Sequence, residues 1–384
     1  MTTETAAPAK NRFDLAELAG AFGDLGTLIP FVVAYITVLK MDAGSILLPF
    51  GAMLIVVGFY FKTPFPVQPM KLIGAAALTH AAGAEALTPA MVVGAGVMTG
   101  IIWLLLGVSG WARRVSTWIP APALLGVVLG LGFSFMLEGI RMMAQAWMFS
   151  GILFAATLFL LGRARVAAMA ALLFAGGGYA ILQQPALIAD LARLEPALHL
   201  PTFAWPSLGW YELWMGTLLL ALPQLPLTFG NAFIAVSDEH NRLFPDRAVS
   251  EKQVATSTGL MNLFSSAIGG IPMCHGAGGL AGHVKFGART GGASIMLGVL
   301  LTMLALFFAD SISTLFRLFP PSVLGVILFL AGLELATASR DHAGDKLDRA
   351  VLLATAALAM VNVGIAVVFG ILAYHASKRG WFTL

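Results

Sequence analysis

The stretch Pro64–Leu78, PFPVQPMKLIGAAAL, sets three prolines, a glutamine and a lysine directly ahead of an apolar run too short to cross a bilayer. Proline lacks a backbone N–H and pushes its predecessor out of the helical region. Pro64, Pro66 and Pro69 therefore predict extended chain over 64–68, with a helix starting near Pro69 at the first-turn position that tolerates proline. Extended backbone survives in a membrane only where protein buries it or where it lines a cavity. A helix beginning there aims unpaired N–H groups and a positive dipole end into that space, which favours an anion. Gln68 adds amide donors and Lys71 a full charge. Lys71 has two readings, a ligand or a side chain snorkelling to an interface; a charge among apolar segments favours the first.

The rest of the chain supplies the membrane context. Of 384 residues, 59% are hydrophobic and 11% charged, against roughly 25% charged in soluble domains. Residues 86–112, 115–137, 142–162, 166–189, 213–237 and 350–377 contain no Asp, Glu, Lys or Arg. Each is close to the ~20 apolar residues that span the hydrocarbon core. Barrel strands would alternate polar and apolar residues instead. The class is an all-α polytopic membrane protein, embedded in the lipid bilayer. A net charge of +3 gives no reason to expect a nucleic-acid partner, and one cysteine, Cys274, excludes an intrachain disulfide. The polar start of the chain shows no apolar signal-peptide core.

Segments are expected near 19–40, 44–61, 66–80, 88–110, 120–137, 143–161 and 166–182, then near 209–236, 252–270, 274–284, 291–309, 320–337, 350–361 and 363–376. The layout is a cytoplasmic tail (1–18), a first repeat (19–182), an extracytoplasmic linker (183–208), a second repeat (209–376) and a cytoplasmic tail (377–384). PALLGVVLGL (122–131) and PSVLGVILFL (321–330) share six of ten residues at an offset of 199. The short segments at Pro66 and Pro272 fall at matching places. Seven segments per half make the second repeat inverted, and short Gly/Pro-interrupted segments in matching positions point to a secondary transporter's binding site. Lys10, Arg12, Arg113, Arg114, Arg163, Arg165, Lys285, Arg289, Lys378 and Arg379 fall on one side of this layout, which makes that side and both termini cytoplasmic. Arg141, Arg193 and Arg317 fall opposite.

Polar residues within the segments are the site candidates. In GGIPMCHGAGGLAGHVKFGART (269–290), Pro272 precedes the second short helix, and Cys274, His275 and Gly276 sit where it starts. Cys274 reads either as a site residue or as small packing, and His275 as a donor or proton carrier. Asp24, in GAFGDLGTLIPF (20–31), has three readings: a coupling-proton carrier, a partner for Lys71, or a helix cap. Thr27 follows it by one turn. Pro223 and Pro226 predict a break or kink in the eighth segment, where Gln224, Thr228 and Asn231 share one helix face. Glu85, Glu138, Glu212 and Glu334 lie at segment ends and read as solvated. Gly96 with Gly100 and Gly126 with Gly130 have the spacing of close helix packing. No nucleotide, zinc or hydrolase motif appears, so no cofactor, metal or catalytic residue is expected.

The blocks GAFGDLGTLIPF, PFPVQPMKLIGAAA, PQLPLTFGNAF and CHGAGGLAGHVKFGARTG resemble the molybdate transporters related to the sulfate permeases, over about residues 17–376. The resemblance implies the seven-plus-seven inverted-repeat fold shared with uracil permeases, with a core and a gate domain and broken third and tenth segments. It implies a substrate site at Gln68, Met70, Lys71, Cys274, His275 and Gly276, with Asp24 and Thr27 from the first segment and Gln224, Thr228 and Asn231 from the eighth. The expected function is import of a tetrahedral oxyanion, molybdate before sulfate, by proton symport across a bacterial-type inner membrane. Sulfate permeases carry a C-terminal regulatory domain for which this sequence has no counterpart, and a homodimer is left open. A nucleobase:proton symporter of the same fold is disfavoured because nothing aromatic is expected beside His275 and because a lysine suits an anion. A channel, a membrane enzyme using Cys274 or His275, and a structural scaffold are the remaining alternatives.

Overall fold

The computed structural model describes residues 10–71, 73–74, 87–116, 120–201, 208–337 and 345–381. The chain enters through α1 (Leu15–Ala21), whose first N–H groups are capped by Asp14, and turns through Phe22–Asp24 into α2 (Leu25–Thr37). Helix α3 (Ala43–Phe61) starts where Asp42 accepts from the Ser45 amide, and stops where Lys62 turns left-handed at φ 55°. The chain then runs extended to β1 (Gln68–Pro69) and is helical again at Lys71, Ile73 and Gly74. The remainder of the expected third segment and Glu85 lie outside the described residues.

The first half continues with α4 (Pro89–Val108), α5 (Trp111–Ser116), α6 (Ala121–Met143), α7 (Trp147–Leu161) and α8 (Arg165–Gln183). The stretch expected as a loop contains a short helix, α9 (Ala186–Ala192). Beyond it, Ala197 and His199 donate backbone bonds to Phe307 and Leu306, and His199 Nε2 meets Asp42 Oδ1 at 2.8 Å. That part of the linker is a strap across helix ends rather than free loop; residues 202–207 lie outside the described set.

The second half opens with α10 (Trp210–Gly216), α11 (Leu222–Thr228) and α12 (Val236–Leu243), joined by π-type turns at Thr217–Ala221 and Phe229–Ala235. The expected break at Pro223 and Pro226 is thus a change of helical register, which relieves the missing N–H groups without ending the helix; the side chains of both prolines lie outside the described set. Then come α13 (Glu251–Ala267), with a Ser250–Gln253 capping box, β2 (Met273–Cys274), α14 (Ala277–Lys285), α15 (Gly292–Phe307), α16 (Ile312–Phe316), α17 (Pro321–Thr337), α18 (Lys346–Ala359) and α19 (Val363–Lys378). Among the described residues, five helical stretches are long and apolar enough to span a bilayer, and six if the pair bent by 97° between Phe307 and Ala309 is one span.

The helices pack as two bundles. Helix α3 lies on α15 and α4 on α13 and α10; α6 lies on α17, α18 and α19, with α7 and α8 alongside. Small residues let the axes approach: a Cβ on Gly126 or Gly130 would strike the α18 backbone carbonyls of Leu352 and Ala356, and one on Gly100 would strike Leu263 of α13. The bundles meet where α17 faces α14 and α2.

At that meeting β1 and β2 pair antiparallel, Gln68 opposite Cys274 and Pro69 opposite Met273. Two residues per strand cannot satisfy the extended backbone, so neighbouring side chains do it. Ser294 donates to the Phe65 carbonyl at 2.9 Å, Ser265 to Ile271 at 2.8 Å, and the Met70 amide to Pro272 at 2.9 Å. Asn262 on α13 acts as a surrogate strand: its Nδ2 donates to the Met273 carbonyl at 2.6 Å and its Oδ1 accepts the Met273 amide at 2.9 Å. Asn262→Leu fills similar space and strands both backbone groups, at about 1–3 kcal/mol for each buried unsatisfied group. The variant is expected to lose thermal stability in detergent, as a fall in unfolding midpoint that Asn262→Gln does not match.

The candidate anion site at the strand crossing

Asp24, Thr27 and Gln68 form one knot at the crossing. Asp24 Oδ1 accepts from both the Thr27 hydroxyl and Gln68 Nε2, and Gln68 Nε2 also reaches Thr27 Oγ1 at 2.8 Å. All three side chains are buried. Asp24 precedes α2 but makes no capping bond to it, so the cap reading fails. The carboxylate is turned into the protein and held by the residue that opens the broken segment.

Lys71 stands on the next residues of the same chain, and its ammonium is sealed from solvent with no hydrogen-bond partner. The snorkelling reading fails with it, because a snorkelling ammonium would reach water. The nitrogen lies 3.7 Å from the centroid of Phe135, a residue of α6 that the sequence did not single out. Gln68 Oε1 is likewise buried without a partner. A cation and a polar oxygen left unpaired in a buried space are costly, by several kcal/mol for the charge, unless a ligand occupies the space beside them.

The second broken segment contributes its helix start. Gly276 precedes α14, and the Ala277 amide donates to Asn231 Oδ1 at 3.3 Å. Gln224 Nε2 donates to Thr228 Oγ1 at 2.9 Å, so these two share a face, and Asn231, within the following π-type turn, is buried as they are. Met70 and Cys274 are fully packed against the same crossing. A Cβ at position 276 would fall on Gln68 Oε1, and one at 279 would lie 2.7 Å from Asp24 Oδ2 and 2.8 Å from Gln68 Nε2. Glycine is required here because two half-segments cross at backbone distance.

His275 is differently placed. Its Nδ1 donates to the Pro66 carbonyl at 2.7 Å, which leaves Nε2 to accept from Ser257 Oγ at 3.0 Å. Both ring nitrogens are used, and the ring braces the extended lead-in against α13. The Phe65 and Phe61 rings pack edge-on to it at 4.8 and 6.1 Å. The sequence expectation that no aromatic lies beside His275 is therefore wrong: Phe65 is distant in sequence and arrives with the other broken segment. Glu334, expected as solvated, instead pairs with Lys285 at 2.9 Å and ties α17 to α14. Asn262 and Ser257 were also missed; their helix, α13, carries many polar side chains, so neither stands out in the sequence.

A family model described as a molybdate transporter of the MFS superfamily matches residues 16–135 and 216–335, one stretch in each half. The chain belongs to this molybdate transporter family. It is 33% identical to molybdate transporter 2 of Arabidopsis thaliana over 92% of this chain and 85% of that protein. It is 31% identical to molybdate transporter 1 of Chlamydomonas reinhardtii, over 96% and 92%. Among solved structures, the transmembrane domain of a cyanobacterium bicarbonate transporter, BicA, superposes with TM-score 0.58 at 17% identity, covering 94% of this chain and 99% of that one. The murine Slc26a9 anion transporter in its inward-facing state gives TM-score 0.60 at 12% identity, over 97% and 69%. The fold is therefore the seven-plus-seven transporter fold expected from the sequence, and the chain is a transporter rather than an enzyme.

Gly276→Ala is the sharpest test of the crossing. The added methyl must push Gln68 off Asp24 and Thr27, so molybdate uptake per inserted protein is expected to fall at least tenfold. Gly177→Ala, where a Cβ meets open space, is expected to leave uptake unchanged in the same assay.

Proposed function

We propose that this transporter imports a tetrahedral oxyanion, molybdate first and sulfate second, by proton symport. The observation that carries the reading is the ammonium of Lys71, buried and without a hydrogen-bond partner between two broken segments. In a low-dielectric setting such a charge attracts a dianion far more strongly than it would in water. Gln68 becomes a neutral donor for the oxygens once Asp24 releases its amide, and the dipole of α14 adds to the charge. The names of the plant and algal relatives favour molybdate over sulfate, and the two dianions present the same tetrahedral face.

Asp24 is the proposed carrier of the coupling proton. It shares Gln68 with the anion site, so protonating the carboxylate removes one of the acceptors that hold the Gln68 amide. His275 is a weaker choice, since both of its nitrogens already serve the fold. Transport would proceed by alternating access, through movement of the α6, α17, α18 and α19 bundle against the other. Arg12, Thr290 and Glu17 are joined by hydrogen bonds, and Arg165 lies against Gly287. That clustering supports placing the Arg12, Arg165 and Thr290 segments on one face, which the excess of basic residues makes cytoplasmic; the bacterial-type inner membrane and the position of the C-terminus are part of the same reading.

The aromatic neighbours of His275 remove one argument against a nucleobase substrate. Phe61 and Phe65 stack on each other at 4.1 Å, so they form a closed cluster rather than a free platform for a base. Calorimetric titration of the purified protein is expected to show binding of molybdate and tungstate that Lys71→Ala abolishes. Sulfate binding without a molybdate response would overturn the substrate. In proteoliposomes an inward proton gradient should drive uptake, and Asp24→Asn should remove that dependence while binding persists.

A further inference from the structure

Phe135 lies within α6 and would ordinarily be read as core packing, since it is 7% exposed. Its surroundings are unusual for that role. The Lys71 ammonium sits 3.7 Å from the ring centroid, as close as a cation stands over an aromatic face. The ring's Cδ2 and Cζ lie 2.8 and 2.9 Å from the point a Cβ on Gly278 would occupy, so the ring presses flush on the first turn of α14. One ring thus touches both positive elements of the anion site.

Its position along α6 adds a direction. Glu138 and Met142, further along the same helix, line a cavity of about 560 Å³ that α2 lines through Ile29, Pro30 and Val33. Phe135 lies one turn before Glu138, about 4.5 Å along the axis. On α2, Thr27 lies two residues before Ile29, and Asp24 sits in the turn that leads into the helix. Phe135 thus lies one helical turn from a residue of the cavity lining and in contact with the Lys71 ammonium.

We propose that Phe135 closes the anion site toward this cavity and holds the Lys71 ammonium until an oxyanion displaces the ring. The proposal rests on the reading of Lys71 as the anion's ligand. The nearby carboxylate, Asp24, does not take the place of the ring here: its Oδ1 accepts from Thr27 and Gln68, and the ammonium has no hydrogen-bond partner. A π face is a suitable temporary partner. It lessens the cost of the bare charge, yet it is far weaker than a dianion at the same distance. The ring belongs to one bundle and Lys71 with Gly278 to the crossing, so its displacement links arrival of the anion to loosening of the contact between them.

Because the ring competes with the anion, weakening its face must tighten binding. Molybdate titration of purified protein is expected to give a dissociation constant lower by roughly 2- to 30-fold for Phe135→Leu. 3,4,5-Trifluorophenylalanine at position 135 keeps the shape and drains the face, and it should tighten binding in the same direction. A packing role predicts weaker binding for Phe135→Leu and none of the fluorine effect; unchanged affinity with the fluorinated ring overturns the proposal. Lys71→Gln serves as the control for the underlying reading. If it binds molybdate as the natural protein does, the anion site itself is misplaced, whatever Phe135 does.

Discussion

Backbone that is not helical has to find hydrogen bonds inside the protein when no water is available. The short antiparallel pair at Gln68–Pro69 and Met273–Cys274 meets that demand for only a few groups. The remainder falls to Ser294, Ser265, Asn262 and His275, each aimed at a specific carbonyl or amide of the extended pieces. Four segments from both halves therefore converge on one point because the chain breaks its helices there. The same breaks expose helix starts, so the structural cost and the anion-attracting feature have one origin.

Charge at the crossing is divided unequally. Asp24 has its donors supplied by Thr27 and Gln68, whereas Lys71 has an aromatic face and nothing stronger. A symmetric arrangement, with the two paired directly, would be more stable in isolation and would leave no charge for a ligand. Gln68 is the pivot of the arrangement, since its amide nitrogen is spent on the acid while its oxygen faces Gly276. Small residues at 276 and 279 are what allow that amide to reach across.

Much of this was legible in the sequence, and for identifiable reasons. Pro64, Pro66 and Pro69 restrict their own backbones, so the extended lead-in and helix start could be read locally. Charge-free runs mark many of the helices, and the expected segment boundaries fall within a few residues of the described ends where a cap such as Asp42, Thr88 or Ser250 is present. Partners contributed by distant segments were not legible. Phe135 looks like any apolar residue of α6, and Phe65 gives no sign that it will pack on a histidine 210 positions away. Glu334 at a helix end has no sequence mark that separates a solvated acid from one tied to Lys285. Pro223 and Pro226 marked an interruption in the eighth segment, but not its form, which is a pair of π-type turns on either side of them.

The contact between the bundles is uneven along α17. Near its C-terminal end Glu334 meets Lys285, while near its start Pro321, Ser322 and Leu324 border the cavity. Ten residues of helix, about 15 Å, separate the closed end from the open one. Between them a Cβ on Gly26 would meet Leu324 and Leu328, and one on Gly282 would meet Ala331, so the middle is packed by backbone rather than by interlocking side chains. Smooth surfaces of this kind slide or tilt with little loss of contact. The ion pair is about a quarter exposed on each side, and pairs in contact with water contribute little net stability. An interface tied at one end by a weak bond, and smooth in its middle, is one that can shift at modest cost.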